Sequence, residues 1–224
     1  MLDLLFPRKY TCPVRSNRTS VRGRVEILKR SELEELHYIT PLGNIPSILK
    51  NGIVCHLIAS KFSPESVAMQ EIQAIRAHKD VPGGLALHQY ANLYFCARNP
   101  MMRKRSALHS GLCVLKISPD VLDLADVVVA DGNAASKYTA FWPVSTGLSK
   151  IDYEMVFAEW WTDFDRIIQW RKTNAKCAEV LIPNRVAADY IKGAYVSNKT
   201  SQQQLIGLGF DLPITVDPHL FFAG

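Results

Sequence analysis

A strand followed at once by a helix and a glycine stop is the feature that most limits how this chain can fold. Residues 36–40, LHYIT, form a short run of strand-forming residues. A helix is predicted to begin near Asn44, because Pro46 suits the first helical turn, and to end at Gly52. This compact unit needs a sheet to receive its strand and an apolar surface to receive its helix.

The rest of the pattern predicts an α+β fold. Further strands are expected at 91–97, 111–117, 127–130, 178–182, 194–196 and 213–216, and helices at 63–79, 155–161 and 184–191. Strands and helices do not alternate regularly, so a doubly wound α/β sheet is disfavoured. A chain of 224 residues with a hydrophobic share of 48% is long enough for one domain with a sizeable core.

Composition excludes several classes of protein. No apolar run approaches the roughly 20 residues that a membrane helix requires, and the first apolar stretch precedes the basic residues, the reverse of a secretory signal. A cytoplasmic protein without a membrane partner is therefore expected. The five cysteines are scattered, with no Cys-x-x-Cys pair and no histidine cluster, so neither a disulfide framework nor a metal site is predicted.

Positive charge is concentrated near the start of the chain. Residues 1–30 contain eight basic side chains and two acidic ones, although the net charge of the whole chain is only +5. We interpret residues 1–30 as a basic N-terminal arm or extension and residues 31–224 as a single domain. An anionic partner such as nucleic acid would explain the arm, and so would a solvated face that aids solubility.

Glu179 is the one carboxylate in the apolar run 174–183, NAKCAEVLIP. The segment 160–176 before it combines flat aromatic faces with positive charge, as single-stranded nucleic acid binding requires. We expect this segment to be a loop that brings a partner to Glu179. The candidate residues for contact with a nucleic acid strand are Trp160, Trp161, Trp170, Arg171, Lys172 and Lys176. A place in the core is the alternative for two of the tryptophans.

Four segments, in the order HYITPLGNIPSILKNGI, HQYANLYFCARNPMM, VVVADGNAAS and KCAEVLIP, resemble the DarT family of toxins. Members of that family are ADP-ribosyltransferases that use NAD to modify bases in single-stranded DNA. The resemblance runs from about residue 36 to the end of the chain and leaves residues 1–30 outside. It implies the ADP-ribosyltransferase fold, with split central β-sheets flanked by helices. The form of DGNAAS favours the guanine-modifying branch over the thymine-modifying one.

The resemblance also implies catalytic roles for two residues. Glu179 matches the family's catalytic glutamate, which would stabilise the cation that develops as the bond from nicotinamide to ribose breaks. The same carboxylate would take the proton from the attacking base. Arg98 matches the family's essential arginine, and its planar guanidinium would suit the NAD pyrophosphate, a carboxylate at the site or the reacting base.

The resemblance further implies that the first strand binds NAD through His37, Tyr38, Ile39 and Thr40. Here the sequence departs from the family, because Tyr38 stands where many members have histidine and His37 comes one residue earlier. Neighbouring residues of a strand face opposite sides, so His37 and Tyr38 cannot both take that place. Ser47 and Cys55 match further NAD contacts.

As implied by the resemblance, NAD is a co-substrate, so no other cofactor and no metal is expected. The implied partners are single-stranded DNA and a cognate antitoxin that removes ADP-ribose, as in a toxin–antitoxin system. An acceptor in RNA or protein is one alternative. A non-catalytic nucleic-acid-binding module that uses the basic arm is the other.

Overall fold

The computed structural model describes residues 28–62, 64–65 and 70–223. The strands are β1 (Leu36–Pro41), β2 (Ile53–Val54), β3 (Tyr90–Tyr94), β4 (Leu112–Ile117), β5 (Val128–Ala130), β6 (Phe141–Pro143), β7 (Glu179–Pro183), β8 (Arg185–Val186), β9 (Ile191–Val196) and β10 (Ile214–Val216). The α-helices are α1 (Ile45–Asn51), α2 (His56–Ala59), α3 (Gln70–Ala77), α4 (Pro100–Lys104), α5 (Val144–Gly147), α6 (Tyr153–Phe157), α7 (Arg166–Ala175) and α8 (Lys199–Gly207). The α+β class is confirmed.

The main sheet has the order β10-β9-β4-β1-β3-β7-β5-β6, and β2 pairs with β8 in a small second sheet. Neighbouring strands of the main sheet are antiparallel, except for the parallel pair of β9 and β10. β1 is in register with β4 from Leu36 to Pro41, but it meets β3 through the single pair His37–Tyr94. The main sheet is therefore divided between β1 and β3, which agrees with the split sheets that were expected.

Successive residues of β1 face opposite sides of the sheet, as the pleat requires. Leu36 and Tyr38 pack in the larger apolar core. Ile39 packs in a second cluster with residues that include Met102 and Phe221. Neighbouring side chains of β1 therefore have different surroundings.

The unit that the sequence indicated most strongly is present. β1 leads through a 3-10 turn into α1, and Gly52 ends the helix with a φ of 77°, a value that glycine adopts without strain. The Gly52 N–H closes the last helical turn by donating to the Ile48 carbonyl. Residues 63 and 66–69 of the predicted helix 63–79 lie outside the described residues, and α3 occupies Gln70–Ala77.

Two predictions in the C-terminal half are wrong. The helix expected at 184–191 is replaced by β8, a 3-10 turn and the start of β9. The segment 160–176, expected to be a loop, contains α7. Asp165 caps this helix by accepting hydrogen bonds from the N–H groups of Ile167 and Ile168. That cap was a readable signal, and the aromatic and basic composition of the segment obscured it.

The predicted arm lies mostly outside the described residues, since residues 1–27 are not among them. From Leu28 onward the chain packs on the domain: Leu28 is buried. Arg30 lies 3.4 Å from the Asp120 carboxylate and 3.6 Å from that of Asp123. The boundary at residue 30 stays a prediction. In the part of the chain that is described, no helix is long and apolar enough to cross a membrane.

Candidate active site

A cavity of about 710 Å³ lies against β1, β3 and β7, with walls from α1, α3 and α7. Its volume is typical of a small-molecule or cofactor site. Tyr38 and Thr40 line it from β1, Asn92 from β3 and Glu179 from β7. The cavity therefore lies on the sheet beside the line where β1 and β3 part.

Glu179 is the first residue of β7 and stands between Tyr94 of β3 and Ala130 of β5. It is 1% exposed. Its carboxylate lies 3.3 Å and 3.1 Å from Nη1 of Arg76, and it accepts a hydrogen bond of 3.0 Å from the Ala134 N–H. A buried carboxylate requires such partners to stay charged.

Arg76 was missed by the sequence reasoning. It lies on α3 and is only 6% exposed, and Ile72 one helical turn earlier also lines the cavity. An arginine four residues after an isoleucine falls on the same face of a helix. A charged residue on the same helical face as Ile72 was the one signal that could have identified it.

The turn at residues 131–136, DGNAAS, holds the second donor to Glu179 in place. Asp131 accepts a hydrogen bond from the Ala140 N–H, and Asn133 accepts one from the Ala135 N–H. Lys79, just after α3, donates to the Ser136 carbonyl. No chemical role could be predicted for this turn, and the structure shows that it fixes the N–H of Ala134 against the Glu179 carboxylate.

Gly132 leaves room at this turn for the end of α7. A Cβ built at Gly132 would lie 2.2 Å from Nδ2 of Asn174 and 3.0 Å from Oγ1 of Thr139. We expect Gly132→Ala to displace Asn174, lowering the free energy of unfolding by about 1–3 kcal/mol and reducing activity. Urea denaturation and a transfer assay would measure both effects. Asn174→Ala in the same chain should restore most of the stability, and no recovery would show that the clash lies elsewhere.

The structure separates His37 from Tyr38. Tyr38 and Thr40 line the cavity, and Ile39 borders it between them. His37 does not line the cavity; it is buried, and its Nε2 lies 3.0 Å from the Glu35 carboxylate. Burial raises the pKa of the Tyr38 hydroxyl to about 12, so this group stays protonated and can donate a hydrogen bond. The expectation that His37 contacts NAD is corrected by this geometry.

The two further predicted NAD contacts also separate. Ser47 lines the cavity from α1. Cys55 is buried and outside the lining, and its N–H donates to the Asn184 carbonyl. The cysteines among the described residues are free and buried, and no group of three or more histidine, cysteine or acidic residues there could hold a metal ion.

Arg98 does not line the cavity. β3 ends at Tyr94, and the chain then bends through residues 95–99, so the strand alternation cannot be extended to residue 98. The guanidinium is buried, donates to the His219 carbonyl at 2.5 Å and lies 3.8 Å from the centre of the Phe222 ring. The arginine that the structure brings to Glu179 is Arg76 and not Arg98.

The predicted DNA-contacting residues have different surroundings. Trp170 lines the cavity from α7 and is 44% exposed, and Arg171 beside it is exposed. Lys172 lies 2.7 Å from the Asp163 carboxylate. Trp160 is exposed, and half-buried Trp161 packs edge-on against Phe222.

Lys176 is not available to a DNA strand. It is 1% exposed, and its amine donates to the carbonyl groups of Val156, at 2.9 Å, and Ala158. This geometry corrects the predicted DNA contact. The lysine instead fixes the end of α6 and the start of the segment that leads to α7.

A buried carboxylate, held by one guanidinium and one backbone N–H at the wall of a large cavity, is suited to stabilising positive charge that develops on a bound ligand. Such a carboxylate is also suited to accept a proton from a second reactant. The exposed aromatic and basic residues of α7 stand beside the same cavity. The site can therefore hold a small molecule and present it to a larger partner.

The chain is similar to proteins of one family. A family model described as ssDNA thymidine ADP-ribosyltransferase, DarT, matches residues 37–222. A DNA ADP-ribosyl transferase–DNA ADP-ribosyl glycohydrolase fusion protein of Thermosipho africanus is 30% identical over 196 residues, which are 84% of this chain and 49% of the fusion protein. The chain thus spans about half the length of that relative.

The fold is shared with solved structures. The structure of Thermus sp. 2.9 DarT in complex with ADP-ribosylated ssDNA superposes with a TM-score of 0.75 at 20% identity, covering 88% of this chain and 100% of that one. The same Thermus protein in complex with NAD⁺ gives a TM-score of 0.69 at 19% identity, over 85% and 98% of the two chains. With the family model matching residues 37–222, the chain belongs to the DarT family of ADP-ribosyltransferases.

Proposed function

We propose that this chain transfers ADP-ribose from NAD to a base in single-stranded DNA and releases nicotinamide. The observation that carries the proposal is the buried Glu179 carboxylate, held by Arg76 and the Ala134 N–H at the wall of a cavity of about 710 Å³. Family membership and the NAD⁺ and ssDNA complexes of the Thermus protein support the choice of both substrates.

The reaction exchanges one bond at the ribose carbon C1′. As the bond from C1′ to the nicotinamide nitrogen breaks, its electron pair leaves with nicotinamide and positive charge develops on the ribose. The Glu179 carboxylate stabilises that charge. A nitrogen of the acceptor base then supplies the pair for the new bond to C1′, and its proton passes to Glu179.

Arg76 and Ala134 contribute by fixing the carboxylate before substrate arrives. A charge whose partners are already in position needs no reorganisation during the reaction. Tyr38 and Thr40 line the cavity from β1 and are the residues that we propose contact NAD, with Ile39 between them and Ser47 on the facing helix. NAD is consumed, so the mechanism requires neither a resident cofactor nor a metal.

The acceptor strand is proposed to bind along α7. Trp170 both lines the cavity and exposes part of its ring, and Arg171 adds positive charge next to it. Exposed aromatic faces with adjacent cations bind single strands by stacking and by backbone contact. Extruding a base from a duplex costs on the order of a few kcal/mol, because the base must be unpaired and unstacked, and a single strand avoids this cost.

Guanine is the proposed base, with thymine as the alternative. The form of the turn at 131–136 favours guanine, whereas the description of the family model names thymidine. We further propose that the protein is the toxin of a toxin–antitoxin pair and acts in the cytoplasm. The Thermosipho africanus relative carries a DNA ADP-ribosyl glycohydrolase in the same chain, which supports a partner that removes ADP-ribose.

Labelled NAD tests the proposal directly. We expect label to enter single-stranded oligonucleotides and not duplex DNA, RNA or protein. In a set of four oligonucleotides that each omit a different base, the one without guanine should remain unlabelled. Mass spectrometry of the released nucleosides would identify the modified base. Label on RNA or protein alone would move the acceptor to another class. Salt-sensitive DNA binding without any labelling would instead indicate a non-catalytic binding module.

A further inference from the structure

Arg98 lies at the centre of an aromatic cluster on the surface next to the cavity. Its guanidinium lies 3.8 Å from the centre of the Phe222 ring and 5.1 Å from that of Trp160. Arg98 is only 2% exposed, whereas Trp160 is 55% exposed. The cation is thus covered by the rings, and Trp160 keeps much of its own surface open to solvent. An arrangement of this kind fixes ring orientation, because a guanidinium stacks best on an aromatic face.

Phe222 is held in this cluster at a cost in backbone energy. Its φ of 56° is in the left-handed region, which is unfavourable for an aromatic residue. The residues Leu220 and Phe221 beside it are buried, and the His219 carbonyl accepts the hydrogen bond from Arg98. Buried neighbours on the same segment keep the Phe222 ring against the guanidinium.

The segment that carries Trp160 is fixed from its other side as well. The amine of Lys176 binds the carbonyl groups of Val156 and Ala158, just before Trp160. The Glu159 carboxylate lies 3.3 Å from Nε2 of His219. The backbone before Trp160 is therefore anchored, and its ring is oriented by Arg98.

A basic surface joins this cluster to the cavity. On α4, Arg103 is exposed and lies 5.3 Å from the centre of the Phe222 ring, and Lys104 lines the cavity. An exposed aromatic face followed by cations along one path is the pattern that a single strand requires. An acidic protein surface would use the cations but would leave the open face of Trp160 without a stacking partner.

We propose that Arg98 is a positioning residue that orients Trp160 to stack on an unpaired base flanking the modified one. Phe222 holds the guanidinium at 3.8 Å from its ring centre, and α4 carries the strand from Trp160 towards Glu179. Arg98 then acts on the acceptor strand and not on NAD. The inference rests on the proposed function, because it assumes a single-stranded acceptor.

Separate kinetics for the two substrates test this role. Arg98→Lys keeps the charge but loses the planar stacking group, and we expect it to raise the KM for a single-stranded oligonucleotide about tenfold, within the range that base stacking supplies. The KM for NAD should change less than about twofold, since Arg98 does not line the cavity. Trp160→Leu should raise the oligonucleotide KM to the same extent. The double variant Arg98→Lys, Trp160→Leu should have an oligonucleotide KM close to that of each single variant.

Two controls separate positioning from a general loss of structure. Phe222→Leu keeps an apolar side chain without the ring and should reproduce part of the oligonucleotide effect. Lys199→Ala removes an exposed cation at the start of α8 and should leave both KM values unchanged. Thermal unfolding of every variant would be measured together with the kinetics. If Arg98→Lys does not fold, Trp160→Leu still tests the role of the stacking ring, because Trp160 is exposed and its replacement should not prevent folding.

Three results would overturn the inference. A raised KM for NAD in Arg98→Lys would place the guanidinium at the dinucleotide. Lower kcat and stability with both KM values unchanged would make Arg98 a merely structural residue. Additive effects of Arg98→Lys and Trp160→Leu would show that the two act separately. If the unaltered protein modifies no DNA, the proposed function fails, and oligonucleotide binding measured by fluorescence anisotropy still tests the link between Arg98 and Trp160.

Discussion

Glu179→Gln is expected to lower ADP-ribose transfer by at least about a thousandfold, because the variant loses both charge stabilisation and the proton acceptor. The amide still offers an oxygen to the Ala134 N–H, so the cavity should keep its shape and bind NAD. The free energy of unfolding should nevertheless fall, since Arg76 loses its buried counter-charge. Removing one partner of a buried pair typically costs about 3–5 kcal/mol.

Transfer from labelled NAD, calorimetric titration with NAD and urea denaturation would measure these three effects. Glu71→Gln is a matched control, because Glu71 lies on α3 and is exposed, and it should change none of them. Full transfer activity in folded Glu179→Gln would contradict the mechanism. Loss of NAD binding together with activity would mean that the carboxylate mainly holds the substrate.

Arg76→Met is expected to lower ADP-ribose transfer as much as Glu179→Gln does, and to lower the free energy of unfolding by at least as much. It removes the guanidinium from 3.1 Å of the Glu179 carboxylate and leaves that carboxylate buried without a cation. The expected loss in the free energy of unfolding is again about 3–5 kcal/mol. Arg76→Lys retains a charge and should keep part of the stability, although its amine cannot reproduce the geometry of the guanidinium.

The double variant Glu179→Gln, Arg76→Met separates the effect of the ion pair on stability from its effect on transfer. Because it removes both charges, it should recover several kcal/mol relative to the sum of the single losses, of the order of a buried ion-pair coupling. Its activity should stay absent. Strictly additive stability losses would show that the two side chains do not interact in solution. Arg185→Met, at an exposed position of β8, controls for the loss of a cation alone.

The parts of the fold that could be predicted are those with local causes. β1 and α1 follow from a strand-forming run, a proline in the first helical turn and a glycine stop, all within residues 36–52. β4 and β10 were likewise predicted within a residue of their bounds. Glu179 was identified from its place in an apolar run and from the resemblance to the family.

The partners of Glu179 could not be predicted in the same way. Arg76 is 103 residues away from it in sequence, so their contact depends on how α3 packs against β7. Arg98 and Lys176 were misplaced for a related reason, because composition shows that a residue is charged but not which carbonyls and rings surround it. In both residues, burial against tertiary partners outweighed the usual preference of such side chains for the surface.

The pairing of the strands places Glu179 in one row with Ala130, Tyr94, His37 and Lys116, taken from five different strands. β7 is the last of these five to be synthesised. A ribosome-bound chain that ends after α7 would contain most of the cavity wall and Arg76, but not the Glu179 carboxylate. For the proposed transfer to DNA, the order of synthesis then delays activity until β7 has been added to the sheet.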